Sequence, residues 1–193
     1  TGVDEILVHG GKVTGVRLEN GNELFADKVV SSAGLVNTVN TFLRNQPQFS
    51  KFKSKLKKVQ PTESYLCLYI GLKKSAKELG LKTTNLWIYP GYNHDKNIAD
   101  YQKDPDGDFP VVYVSFPSAK DPDWDKNHPG CATMEAITLG RWEWVEKWDK
   151  KPWKKRGNEY ENFKEEISQK ILNIVFKHVP NVKESLDHYE LST

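Results

Sequence analysis

Five histidines, two cysteines and a glycine-rich opening are the places where chemistry could be built, and none falls into a reactive pattern. His94, His128 and His188 lie in polar segments with no partner at useful spacing, and His178 ends a helical pattern, where a capping or partly buried role suffices. Cys67 and Cys131 are far apart, each in an apolar strand pattern, so they read as buried free thiols of a reducing compartment. No Cys/His group has metal-ligand spacing. Gly10-Gly11 with Gly15 does not reproduce the Gly-x-Gly-x-x-Gly dinucleotide turn. No nucleophile motif, phosphate loop or paired acid signature is present either.

The elements around these residues divide the chain near residue 45. At the start, residues 4 to 8, 12 to 18 and 22 to 31 read as a three-stranded meander. His9-Gly10-Gly11-Lys12 turns the first pair and a two-residue Asn20-Gly21 turn the second. Ser32-Ala33-Gly34 then removes side-chain bulk where the backbone passes close to a ligand or a neighbouring helix. Residues 35 to 44 form a short helix pattern closed by Asn45-Gln46-Pro47. The lysine-rich run from 51 to 58 reads as a solvated basic face.

From residue 62 the pattern becomes that of a sheet, with strands at Ser64–Leu72, 85 to 89, 111 to 116 and 132 to 139. Few helices separate them, so an antiparallel or mixed sheet is expected. The first carries Leu66, Leu68 and Ile70 on one face and Tyr65, Cys67 and Tyr69 on the other, so it is either central or lines a hydrophobic cavity. Asn158–His178 is the strongest helix pattern, capped by Asn158 with Glu161, with Phe163, Ile167, Ile171, Ile174, Val175 and His178 as its buried stripe and Pro180 as its stop. Trp142, Trp144, Trp148 and Trp153, mixed with lysines, are either packing or a patch for the membrane interface.

Composition narrows the classes. At 37% hydrophobic and 28% charged the chain is globular, with no apolar run long enough to span a membrane. A net charge of +2 is too small to argue for nucleic acid. The only methionine is Met134, and an abrupt start and an extended end lead us to expect a fragment of a longer protein.

The opening strand, the meander and Ala26-Asp27-Lys28-Val29-Val30-Ser31-Ser32-Ala33-Gly34 resemble the central part of the phytoene desaturase-like flavoproteins. Gly71-Leu72-Lys73, Phe116-Pro117-Ser118-Ala119-Lys120-Asp121-Pro122, Lys155-Arg156-Gly157 and His178-Val179-Pro180 are similar to the branch holding all-trans-retinol 13,14-reductases (retinol saturases) and carotenoid cis-trans isomerases. The resemblance spans nearly the whole chain. It implies an α+β fold, with residues 1–45 a partial FAD-binding domain and 46–193 a substrate-binding or cap domain truncated at its C-terminus. FAD would be the cofactor, approached by Val3 and by Ser32, Ala33 and Gly34.

The implied substrate is a lipophilic polyene, retinoid or carotenoid, lying against Tyr65, Tyr69, Trp87, Tyr113 and Phe116, whose plainer role is sheet core. The chemistry would belong to the flavin, either saturating an alkene or lowering its bond order so that it rotates. No catalytic residue is assigned. Because the glycine fingerprint is missing, the chain by itself is expected neither to hold FAD nor to catalyse. A cytoplasmic or peripheral membrane location follows, and the oligomeric state is left open. The competing reading is an independent lipid-binding or interaction module.

Overall fold

The computed structural model describes residues 1–59, 64–104, 106–152 and 154–193. They form two compact units, Thr1–Pro61 and Thr62–Thr193. Trp153 lies outside the described residues.

The first unit is built on an antiparallel meander of β1 (Val3–His9), β2 (Lys12–Leu18) and β3 (Glu23–Phe25). Gly10 and Gly11, at φ 55° and 77°, make the two-residue turn between His9 and Lys12 that the right-handed twist of paired strands favours. The second turn differs from expectation. Among the described residues Lys154 is the only non-glycine at positive φ, so Asn20 does not take that conformation. Instead Gly21 N–H donates to Leu18 O (2.9 Å) and Leu18 N–H to Asn22 O (2.8 Å), which makes a three-residue loop with Gly21 at φ 86°.

The third strand is also shorter than its sequence suggests. Extended chain becomes a strand only where a ladder partner exists. Past the Ala26 N–H, which reaches Thr14 O at 3.0 Å, no partner is met among the described residues, and Val30 stands 97% exposed. The helical segment that follows comprises α1 (Leu35–Asn37) and a π turn over Thr38–Phe42, then α2 (Ser50–Leu56) after a 3₁₀ turn. Among the described residues, Ile6, Val39, Leu43 and Leu56 are the buried apolar side chains of this unit. Polar clamps fix the docking: Arg44 donates to Asp4 O (2.7 Å) and Asp4 Oδ2 (2.6 Å), and the buried Glu5 accepts from Arg17 (2.6 Å) and Asn45 (2.9 Å). Lys53 leaves the basic face of α2 to donate to the carbonyls of Leu43 and Arg44.

The second unit holds β4 (Ser64–Leu72), β5 (Leu86–Ile88), β6 (Val112–Ser115), β7 (Ala132–Gly140) and β8 (Leu186–Ser192) in one antiparallel sheet ordered β5-β6-β7-β4-β8. The fold class is therefore α+β, and β4 is internal. Period-two alternation sends Leu66, Leu68, Ile70 and Leu72 to one face, with Met134, Ala136, Val112, Val114 and Leu191.

Between β5 and β7 lie α3 (His94–Lys103), α4 (Pro117–Lys120) and α5 (Trp124–Asn127); α6 (Trp142–Val145) follows β7, and α7 (Asn158–His178) precedes β8. Helix α7 covers the apolar face with Ile167, Ile171, Leu172 and Val175. Two details of α7 depart from the sequence reading. Gly157, at φ 91°, caps it by accepting from the N–H groups of Tyr160 and Glu161, so the Asn158 side chain has no capping bond. His178 is exposed, because the stripe rotates off the sheet before the last turn.

The tryptophan cluster is largely packing. Trp148 is 2% exposed, with ring centroids 5.2 Å from Tyr160 and 5.5 Å from Phe163, and Trp144 stands edge-on to Tyr101 and Phe163. Trp142 is exposed. Neither cysteine is fully buried; both are free and half-exposed. No described helix is long and apolar enough to cross a membrane.

Candidate functional site

A sheet with helices on one face leaves its other face to be explained. Alternation that buries Leu66, Leu68 and Ile70 turns Tyr65, Cys67 and Tyr69 outward. On β7 the outward set is Thr133, Glu135, Ile137 and Leu139, and on β6 it is Tyr113 and Ser115. The register lines these up in rows across the sheet: Trp87 opposite Tyr113, Tyr113 opposite Ile137, Ile137 opposite Cys67. In the next row Tyr65 stands opposite Leu139.

These rows floor a groove of about 360 Å³ lined by Tyr65, Asn85, Trp87, Val111, Tyr113, Ile137, Thr138 and Leu139. Trp87 and Tyr113 pack at 4.7 Å with their planes tilted by 59°, so their faces form a continuous apolar wall. Trp87 and Tyr65 remain 62% and 64% exposed, far more than a core aromatic would be. Exposed aromatic side chains grouped over a groove make this face the candidate binding surface.

Four of the five aromatic residues singled out from the sequence share this face. Tyr65, Trp87 and Tyr113 line the groove, and Tyr69 stands on the same face four residues further along β4. Phe116 does not join them: it is 4% exposed and belongs to the core on the opposite side. Ile137, Thr138, Leu139, Val111 and Asn85 complete the lining and were missed. For Ile137 and Leu139 the signal was present, since they alternate with the buried Ala136 and Thr138.

Near the groove Cys67 and Tyr69 interact. Partial burial pushes the Cys67 thiol up, outweighing a hydrogen bond with Tyr69, and the same bond raises the Tyr69 phenol. A thiol held protonated is a poor nucleophile, so this pair supplies shape rather than reactivity. Among the described residues no group of three His, Cys, Asp or Glu could hold a metal.

In the first unit, Ser32, Ala33, Gly34 and Val3 are all exposed. Gly34 precedes α1 at φ 82°, and a Cβ there would meet nothing within 4 Å, so the space beside this turn is open. The turn is held from behind: Asn37 donates to Ala33 O (3.1 Å) and Thr38 Oγ1 to Gly34 O (2.8 Å). No described contact brings Val3 against this turn. The link is indirect, through Arg44 and Asn45, which tie the segment after Gly34 to Asp4 and Glu5.

Comparison with known proteins decides the family. All-trans-retinol 13,14-reductase of Danio rerio is 32% identical over 200 residues, covering 99% of this chain and 33% of the relative. Phytoene desaturase of Neurospora crassa is 36% identical over 129 residues, 63% of this chain and 21% of that protein. This chain is a homologue of the retinol 13,14-reductases and phytoene desaturases. A shorter stretch of 72 residues is 36% identical to prolycopene isomerase of Daucus carota, 37% of this chain and 12% of the relative. No family model matches the sequence.

The fold agrees: the crystal structure of an oxidoreductase from Methanosarcina mazei superposes with a TM-score of 0.53 over 98% of this chain and 36% of that one, at 14% identity. The chain spans about a third of the length of the curated relatives it matches. Its relatives include reductases, desaturases and an isomerase.

Proposed function

We propose that this chain is part of an FAD-dependent oxidoreductase that saturates a conjugated polyene of the retinol type. Residues 1–45 would belong to its cofactor domain and 46–193 to its substrate domain. The observation that carries the proposal is the open aromatic face of the second sheet. An apolar, rod-like polyene needs a long dry wall with few polar groups, and Tyr65, Trp87, Tyr113, Ile137 and Leu139 provide one. The names of the homologues, which include a retinol reductase and phytoene desaturases, support the same substrate class.

The exposed Ser32-Ala33-Gly34 turn and the Val3 backbone suit FAD, since small side chains and open space let backbone groups approach a ligand. When bound, reduced flavin supplies the hydride that an alkene carbon accepts while a proton adds to its neighbour. The chain's own part is to bind the polyene, orient it along the groove and exclude water from it. Cys67 and Tyr69, held protonated, add no charge of their own to that face.

The match to a prolycopene isomerase favours a second reading, redox-neutral cis-trans isomerisation of a carotenoid. Product mass separates the two, because saturation adds two hydrogen atoms and isomerisation none. Binding is tested on the chain directly: all-trans-retinol should quench its indole emission saturably, and Trp87→Ala with Tyr113→Ala should weaken this at least fivefold, about 1 kcal/mol. Unsaturable quenching, or quenching indifferent to both substitutions, would remove the groove from the substrate site.

A further inference from the structure

The apolar floor stops at a polar row. Asn85 is two residues before Trp87 and, like it, lines the groove. Lys120, the last residue of α4, donates from Nζ to Asn85 Oδ1 and to Ser115 Oγ, the latter at 2.9 Å. An ammonium has no acceptor, so this contact fixes which end of the amide is engaged. The oxygen is taken. The amide NH₂ is left as a donor in the groove wall, and no described residue accepts from it.

The anchor is firm. Ser115 is 7% exposed, and α4 is pinned to β7 because Ser118 Oγ donates to Thr133 O (3.2 Å) and accepts from Thr133 N–H (3.0 Å). The row continues away from the apolar rings with Glu135 opposite Ser115 and Tyr69 opposite Glu135. One groove thus offers aromatic and aliphatic side chains along most of its length and, at one border, an amide donor held in place by Lys120.

We propose that Asn85, held by Lys120, is a specificity-determining residue: its NH₂ donates to an oxygen at the end of an otherwise apolar polyene, selecting oxygen-ended polyenes over pure hydrocarbons. The proposal rests on the reading of the groove as the polyene site. It also gives a role to the cation beside the apolar slot: Lys120 directs two of its three donors to Asn85 and Ser115. A donor in a groove still open to water gives modest selectivity, about threefold to tenfold.

The test uses two probes of the same conjugated skeleton: all-trans-retinyl methyl ether, whose oxygen accepts but cannot donate, and the hydrocarbon that lacks the oxygen. Their dissociation constants are read from quenching of indole emission in wild type, Asn85→Leu and Asn85→Asp. Aspartate keeps the shape of Asn85 and its partner Lys120 but cannot donate, and leucine removes the donor without adding charge. Wild type should prefer the ether, and both variants should bind the two probes equally. A wild-type preference that persists in both variants, or equal binding by wild type, overturns the role of Asn85 and leaves the groove assignment standing. Failure of wild type to bind either probe overturns the polyene reading itself.

Discussion

Replacing Trp148 by alanine should unfold the second unit far more readily than its lysine-rich neighbourhood suggests. The indole is 2% exposed and wedged between Tyr160 and Phe163. A buried tryptophan hides roughly 150–250 Å², which at about 25 cal/mol per Å² is about 4–6 kcal/mol. Residual burial in the unfolded chain lowers this by roughly a tenth to two-fifths, leaving about 3–5 kcal/mol, the range found for large-to-alanine changes in cores. Phenylalanine should behave differently. Trp148 Nε1 is buried without a hydrogen-bond partner, and relieving such a donor returns about 1–3 kcal/mol, which offsets most of the lost ring area. Trp148→Phe should therefore lie within about 1 kcal/mol of wild type.

Urea unfolding followed by indole emission is the assay, and it isolates the right unit, because all six tryptophans lie after residue 62. Far-UV circular dichroism, which sees both units, checks whether one transition describes the chain. A cost below about 1 kcal/mol for alanine would place the indole at the surface and refute the packing argument. Equal costs for alanine and phenylalanine would refute the unpartnered donor.

Other outcomes follow from the same physics. The purified chain should be colourless, since no Gly-x-Gly-x-x-Gly turn is present to seat the dinucleotide, and stoichiometric flavin surviving gel filtration would contradict this. Glu78 accepts from Ser75 N–H (2.9 Å) and Ser75 Oγ (2.7 Å), which holds its carboxyl below the usual range. A depressed carboxyl stabilises above its unfolded pKa and loses that contribution as pH falls through the folded value. Glu78→Gln should thus melt below wild type at neutral pH, with the gap closing in acid; a gap that persists in acid would refute it. If the exposed Trp142 and the lysines around it touch membranes, anionic liposomes should sediment the chain at low salt and release it at high salt. No sedimentation at low salt would end that idea.

Much of the second unit could be read from periodicity, because β4 and α7 repeat cleanly and each buries a whole face. The open groove was half legible. Tyr65 and Tyr69 share strand parity and so share a face, whereas Tyr113 and Phe116 are an odd number of residues apart, so parity already assigns Phe116 to the core side. Asn85 gave no signal, since its meaning comes from Lys120, distant in sequence and brought near by the β5–β6 pairing. The long third strand failed for the opposite reason: residues 26 to 31 have the composition of a strand, but composition cannot supply a ladder partner. The caps failed by one position, because Gly157 uses backbone carbonyl geometry where Asn158 offered a side chain.

The pairing of β8 with β4 bears on how the chain comes into being. β4 opens the second unit and β8 closes it, yet they are neighbours in the sheet. On the ribosome, β4 emerges before β8 and must wait with one edge bare until β8 has been made. Such distant pairing also slows folding in free solution, because the intervening loop must close before contacts reward it. The late-made edge strand β8 thus acts as the latch of this unit. A chain stopped short of Leu186 would expose the unpaired hydrogen-bonding edge of β4, a template for aggregation.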